Sequence, residues 1–330
     1  MKTRIIWIDY VKAMAIFLVV LAHTPLWKPL QDWIYVFHMP VFFFLSGYLF
    51  SPSRHPVFGD FAWVRFRQLI IPYASINVVM YLFWLLVGRH VGAEVDDVSW
   101  SAPLVAALLG DGPSMIHDVP LWFFLCLYLV ELLHDALFVG ARHPWLLIVG
   151  FAVLGFGVSV WSPVTLPFSI GTALVAIVFY AMGHQLQGRI SQDWLTALLC
   201  FVATVVVSVF NGRINMHANY YGNYLLFLAG ACCGVYLMIY LGRLADRLFG
   251  ECRLFAFIGR NTLAICGFHL LTFAFLKGLM VYVLRVSPAV MSGGVVLNVL
   301  FAAVSLFCCL PIVWVLNRWL PWMVGKTKSQ

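Results

Sequence analysis

The chain has 330 residues, 63% of them hydrophobic and only 10% charged, and a formal net charge of +7. Soluble domains carry about 25% charged residues, so water is excluded as the main solvent of a chain whose mean hydropathy is +0.95. Apolar runs of about 18–22 residues recur from end to end, each long enough to cross a hydrocarbon core of roughly 30 Å, and they lack the alternation of a transmembrane β-barrel.

The pattern predicts an all-α, polytopic transmembrane bundle in one domain, 1–330. Its helices are expected near 5–26, 33–50, 68–88, 120–139, 145–161, 165–186, 194–210, 222–242, 257–284 and 294–316. The first run is read as a retained helix, because it is long, carries Asp9 and Lys12, and lacks a small-residue cleavage site. With the N-terminus inside, fourteen of the twenty Lys and Arg fall on the cytoplasmic side: Lys2, Arg4, Arg54, Arg65, Arg67, Arg142, Arg189, Arg243, Arg247, Arg253, Arg260, Arg318, Lys326 and Lys328. Lys28, Arg89, Arg213 and Arg285 fall outside, and Lys12 and Lys277 lie within helices. This bias predicts both termini in the cytoplasm. The outer loop that follows Arg89 is acidic (Glu94, Asp96, Asp97, Asp111, Asp118), in keeping with that orientation. The net positive charge is then a mark of topology, and a nucleic-acid partner is not expected. The eight cysteines form no CxxC pair and sit mostly in apolar runs, which suits packing better than a disulfide framework or a metal site.

The first helix, "WIDYVKAMAIFLVVLAHTPLW", carries Asp9, Lys12 and His23. Charged groups inside a bilayer normally face a protein interior or a wet cavity. Lys12 and His23 are eleven residues apart, which returns them to within about 20° on one helix face with roughly 16 Å of rise between them. Asp9, three residues before Lys12, joins that stripe and is placed to pair with it. Two readings fit this helix alone: an interfacial ion pair with a histidine at the far end, or a functional stripe. The second helix, "WIYVFHMPVFFFLSGYLF", adds His38 beside Pro40, at a depth similar to His23 in an antiparallel hairpin. Two imidazoles at one depth suit a base and an orienting partner.

Next in the chain, "VRFRQLIIPY" places Arg65 and Arg67 at the inner start of the third helix, and the fourth holds Trp122 and, in its inner half, Glu131, with His134 and Asp135 near the surface. Glu131 suits a buried Arg or His as partner. The outer stretch "NGRINMHANYYGN" gathers Asn211, Asn219, Tyr221 and Asn223; amides and aromatic rings suit sugar hydroxyls and faces, and ordinary loop chemistry gives a similar composition. "RLFAFIGRNTLAICGFHLL" brings Arg253 and Arg260 to the start of the ninth helix, with His269 deeper. Lys12, Arg65, Arg67, Arg253 and Arg260 suit a phosphate-binding mouth, although positive-inside bias also accounts for most of them singly.

Several of these stretches together resemble the acyltransferase-3 family of integral membrane O-acyltransferases, most closely its sugar O-acetylase (fucose 4-O-acetylase-like) branch. "IDYVKAMAIFLVVLAH" is similar to the family's basic residue, ten residues, histidine pattern, with Lys12 where Arg is common. "FHMPVFFFLSGYLF", the Arg67–Pro72–Tyr73 stretch, "LWFF" at 121–124, "NG…YGN" at 211–223 and "IGRNTLAICGFHL" at 258–270 follow in family order. The resemblance implies transfer of an acyl group, usually acetyl, from cytoplasmic acetyl-CoA to a hydroxyl of a lipid-linked or cell-surface glycan, in a bacterial inner membrane and with no permanently bound cofactor. It implies His23 and His38 as catalytic, Lys12, Arg67, Arg260 and His269 on the donor, Trp122, Asn211, Asn219, Tyr221 and Asn223 on the acceptor, and no metal. A secondary transporter, or an acyl-translocating partner of a separate transferase, remains a rival reading of the buried polar groups.

Overall fold

A computed structural model describes residues 4–52, 56–91, 98–161, 166–287, 290 and 294–326. Lys2, Arg54 and Lys328 of the charge count, and Glu94, Asp96 and Asp97 of the acidic loop, lie outside the described residues. Among the described residues the chain is helical, and its only β feature is an isolated antiparallel bridge between Asn215 and Tyr220. Seven helices are long and apolar enough to cross a membrane, and Trp194–Phe210 is a shorter apolar one. The chain divides into two compact units, the division falling after Leu49, after Ala181 and after Pro311, with 217–219 belonging to the second unit.

The first unit is built on α1 (Ile6–Ala22), which touches α2 (Lys28–Tyr48), α10 (Tyr224–Phe249), α11 (Arg253–Arg260) and α12 (Thr262–Gly278). Glycines make these approaches possible. Gly230, Gly234 and Gly242 open α10 to its neighbours; a Cβ at Gly234 would lie 2.2 Å from the Phe37 side chain, and one at Gly242 2.2 Å from Val11. Small residues let helix backbones close on each other in lipid. Gly259 of α11 does the same against α1, where its Cβ would meet the Asp9 carbonyl at 2.5 Å. α9 (Trp194–Phe210) completes the packing around α2 and α10, and the Trp33 indole donates to the Thr204 hydroxyl at 2.9 Å.

Boundaries depart from the sequence expectation where side chains take over backbone partners. α1 stops at Ala22, four residues early, because Pro25 cannot continue it and Thr24 turns its hydroxyl back to the Leu21 carbonyl at 2.7 Å. The expected ninth helix is two, α11 and α12, broken at Asn261, whose amide donates to the Phe257 carbonyl at 2.7 Å.

In the second unit, α3 (Phe58–Arg65), a π-helical turn (Phe66–Ile70) and α4 (Ile71–Leu86) run on as one helix that starts ten residues before the expected 68. The π turn has a local cause: Pro72 would press its ring on the Gln68 carbonyl in a regular α-helix, and widening the turn relieves that contact. α5 (Ala102–Leu109), α6 (Trp122–Phe138), α7 (Pro144–Trp161) and α8 (Ile170–Gln185, through Ala181) follow, and α13 (Val295–Trp319) enters the unit after Pro311. Arg65 meets both oxygens of the buried Glu131 in a two-pronged ion pair and also reaches Gln68. Glu131 thus has the arginine partner its position called for. His134, expected near the surface, is instead fully buried, stacked on Phe138 at 5.0 Å and edged by Phe50 and Tyr180 at 4.8 Å.

Candidate active site

The C-terminus of α1 is where the first unit concentrates its chemistry. An α-helix leaves its last four carbonyls without intrahelical partners, and in an apolar setting each must find one. Here the Val19 carbonyl takes the His23 ring nitrogen Nδ1 at 2.7 Å, Val20 the His23 amide at 3.2 Å, Leu21 the Thr24 hydroxyl at 2.7 Å and Ala22 the Gln31 amide at 2.9 Å. Capping the helix therefore fixes the tautomer of its histidine. A carbonyl oxygen only accepts, so Nδ1 carries the hydrogen, and in the neutral ring Nε2 presents a lone pair.

His269, on α12, is arranged alike: Nδ1 donates to the Cys266 carbonyl at 2.8 Å, with Ile265 at 3.2 Å. Its ring meets that of His23 edge-on, centroids 4.9 Å apart and planes at 65°, and its Nε2 is buried without a hydrogen-bond partner among the described residues. Behind it, Thr272 donates within α12 to the His269 carbonyl at 2.8 Å and shares a 2.5 Å hydrogen bond with Ser305. His38 is buried on α2, its Nδ1 on the Ile34 carbonyl at 2.8 Å and its ring 5.1 Å from that of Tyr35. Three imidazoles thus offer an acceptor nitrogen each, and the ring seated on His23 is that of His269 rather than the expected His38.

Toward the N-terminus of α1, Lys12 is half-buried, and Asp9 is held by Arg4, whose guanidinium also reaches Glu251. The Gly259–Asp9 contact sets Arg260 beside this end of α1; its side chain is exposed and donates from Nε to the Ala256 carbonyl at 3.0 Å.

In the stretch 211–223, three of the residues expected on the acceptor make contacts within the stretch or with α10. Asn211 donates to the Tyr221 carbonyl at 2.9 Å and accepts from the Asn223 amide at 2.7 Å. Asn223 caps α10, its side-chain oxygen 3.1 Å from the amides of Leu225 and Leu226. The Tyr221 ring is packed on Phe227 at 4.8 Å and on Tyr224 at 5.7 Å. Asn211 and Asn223 thus brace the backbone of this stretch, and the Tyr221 ring packs against α10.

The remaining expected residues belong to the second unit. Arg67 is exposed, whereas Arg65 is paired with Glu131. Trp122 is buried behind Gly112, and Asn219 lines a small cleft. This unit also holds a polar pair that sequence reasoning missed. The His117 ring nitrogen Nε2 donates to the side-chain oxygen of Asn77 at 2.8 Å, and the Asn77 amide is itself tied to the Tyr73 carbonyl at 2.8 Å. Burial pushes His117 down to about 4, and it holds the carboxyl of fully buried Asp118 well above the usual carboxylate range. A His-Asp dipeptide just ahead of an apolar helix was the available signal.

Neither a curated protein nor a solved structure gave a match. The acyltransferase-3 family, described as an acyltransferase domain, matches residues 5–318, nearly the whole length of the chain and both of its units. With several membrane-length apolar helices carrying that match, the chain belongs to the acyltransferase-3 family and is a membrane acyltransferase.

Proposed function

We propose that this acyltransferase moves an acetyl group from acetyl-CoA, bound from the cytoplasm, to a hydroxyl of a cell-surface or lipid-linked glycan of a bacterial inner membrane. Membrane lipids are its surroundings and nucleic acid is no partner. The observation that carries the reading is the His23–His269 pair, with acceptor nitrogens directed away from their own helices and a cation-bearing helix end on the same α1. Lys12 lies about 16 Å from His23 along the helix axis, a separation that suits a donor with an anionic nucleotide at one end and a thioester on a long arm. Lys12 and Arg260 are the cations proposed for the anionic end; Arg67, expected with them, belongs to the second unit. Family membership favours acyl transfer over solute transport.

In this mechanism Nε2 of His23 takes the proton of the acceptor hydroxyl as its oxygen attacks the thioester carbonyl. The tetrahedral intermediate collapses, the C–S bond breaks, and the coenzyme thiolate leaves with the proton returned from His23. His269 packs the ring in place, a role first expected of His38. Neutral His38, with its only N–H spent on Ile34, cannot polarise the carbonyl; we assign it as a second acceptor nitrogen.

The test is the acetyl content of surface glycans, by NMR or mass spectrometry, in the native host, a deletion strain, and that strain complemented at matched protein levels. Wild type is expected to restore acetyl groups, and His23→Ala to lose about 10²–10⁴-fold in transfer rate, the usual worth of a general base. Normal acetylation by His23→Ala would sink the assignment.

A further inference from the structure

His23 stands one residue past the end of α1, at the head of the connector that leads to α2 at Lys28. The ring is therefore placed as much by the connector as by the helix. One tie on the connector comes from far along the chain. The side-chain amide of Asn298, on α13, donates to the Pro25 carbonyl at 3.2 Å and to the Gly294 carbonyl of its own chain segment at 3.0 Å. Carbonyls only accept, so the amide nitrogen faces both, and its two hydrogens are spent in fixed directions.

The same face of α13 reaches the other histidine. The Phe301 ring meets that of Phe273 at 5.1 Å, and Phe273 edges the His269 ring at 5.7 Å and 87°. Ser305 shares its hydrogen bond with Thr272, whose own hydroxyl hydrogen goes to the His269 carbonyl, which makes Ser305 the donor. Asn298, Phe301 and Ser305 fall within about 60° on a helix, with roughly 10 Å of rise from first to last. All three are buried, whereas Val296, Leu300 and Val304 on the opposite side are exposed. Every contact here lies in the first unit.

α13 is the most apolar of the seven membrane-length helices among the described residues. A buried amide and a buried hydroxyl are out of keeping with such a helix. Hydrogen bonds between membrane helices add little stability on average, because a helix alone in lipid also finds partners. What a satisfied polar contact adds is a unique arrangement: these two admit one height and one rotation of α13 against the connector and α12.

We propose that Asn298 and Ser305 are positioning residues for acyl transfer, setting the His23 ring against that of His269 from a third helix. The proposal rests on the reading of His23 as the base. Neither side chain touches a reactant in this scheme, so their loss lowers the rate of the chemical step and leaves donor affinity alone. A base displaced by about 1 Å loses up to about 10²-fold in rate.

The experiment uses inverted membrane vesicles from the deletion strain complemented with the full chain, which carry the native acceptor. Transfer of radiolabelled acetyl from acetyl-CoA is followed against acetyl-CoA concentration, per amount of enzyme in the membrane. Asn298→Leu, similar in size but without a side-chain N–H, should lower kcat by about 10–100-fold with the KM for acetyl-CoA unchanged. Ser305→Ala should lower kcat by about 3–10-fold, and Ser305→Thr, which keeps the hydroxyl, should bring it back to within about twofold of wild type. Val296→Ala, on the exposed side of the same helix, should match wild type in both constants. If Asn298→Leu does not accumulate in the membrane, the Ser305 pair decides. An unchanged kcat in Asn298→Leu and Ser305→Ala, a raised KM in place of a lowered kcat, or no recovery in Ser305→Thr overturns the proposal. When His23→Ala is inactive and the α13 variants are unimpaired, the base assignment stands and the positioning role falls by itself. Transfer by His23→Ala at the wild-type rate, or none by wild type, removes the reading beneath it and the proposal with it.

Discussion

His23, His38 and His269 each donate Nδ1–H to a carbonyl of their own helix and so offer Nε2 as a base, whereas His117 donates from Nε2 to Asn77. The backbone thus sets the proton inventory of the helical histidines, and a side chain sets that of His117. Burial of His117 and Asp118 makes stability pH-dependent in opposite senses. His117, depressed in the fold, contributes stability fully above about pH 6.5, its unfolded value, and loses it as pH falls toward its folded value of about 4. Asp118, raised in the fold, binds a proton that the unfolded chain releases above about pH 3.9, so stability falls as pH rises toward its folded value. Each slope approaches about 1.4 kcal/mol per pH unit. Relative to wild type, Asp118→Asn should therefore gain stability with rising pH above about pH 4, and His117→Gln should gain it as pH falls from about 6.5. Melting curves in detergent between those limits read both differences, and parallel curves for all three proteins would refute the pair of assignments. Lys12 and His23 were legible in sequence because helical spacing alone puts them on one face. The seating of His269 on His23 was not, since it depends on which of many helices α1 touches. Nor does composition distinguish an amide that braces a loop, as Asn211 does, from one that faces a ligand.

At the level of elements, α10 shows how membrane helices earn close contact without a hydrophobic drive: its glycines let α2 and α1 approach where any side chain would collide. Gly234→Leu places a side chain where even a Cβ is 2.2 Å from Phe37, and overpacking of this kind costs about 1–3 kcal/mol or more. A clear drop in melting temperature is expected. Gly278→Ala, with nothing within 4 Å of the added methyl, should instead be neutral or stabilise by about 0.5–1 kcal/mol through helix propensity. A tolerated Gly234→Leu would refute close packing of α10 on α2 at this position. Helix positions were largely readable from apolar runs of membrane length. Their interruptions were less so, because the break at Asn261 and the π turn before Pro72 arise from single side chains against the backbone, which a sliding average smooths away.

For the whole molecule, charge asymmetry predicts which ends of the helices share a side, and α9 is the sharpest place to test it, being the shorter apolar helix at Trp194–Phe210. Its 17 residues span only about 25 Å. Gly188 and Gly212 flank it, both exposed, with open space at the Cβ position. In intact cells a membrane-impermeant maleimide should label Gly212→Cys and spare Gly188→Cys, measured against wild type; equal labelling would place both on one side. The pairing of His23 with His269 also has a consequence for biogenesis. The two are 246 residues apart in the chain, and at about 5–20 residues per second of synthesis the second ring follows the first by roughly 12–50 s. For that interval the newly inserted first helix holds its lysine and histidine in the bilayer before α10, α11 and α12 exist to enclose them. The polar groups of the opening segment therefore find their final packing partners only after most of the chain has been made.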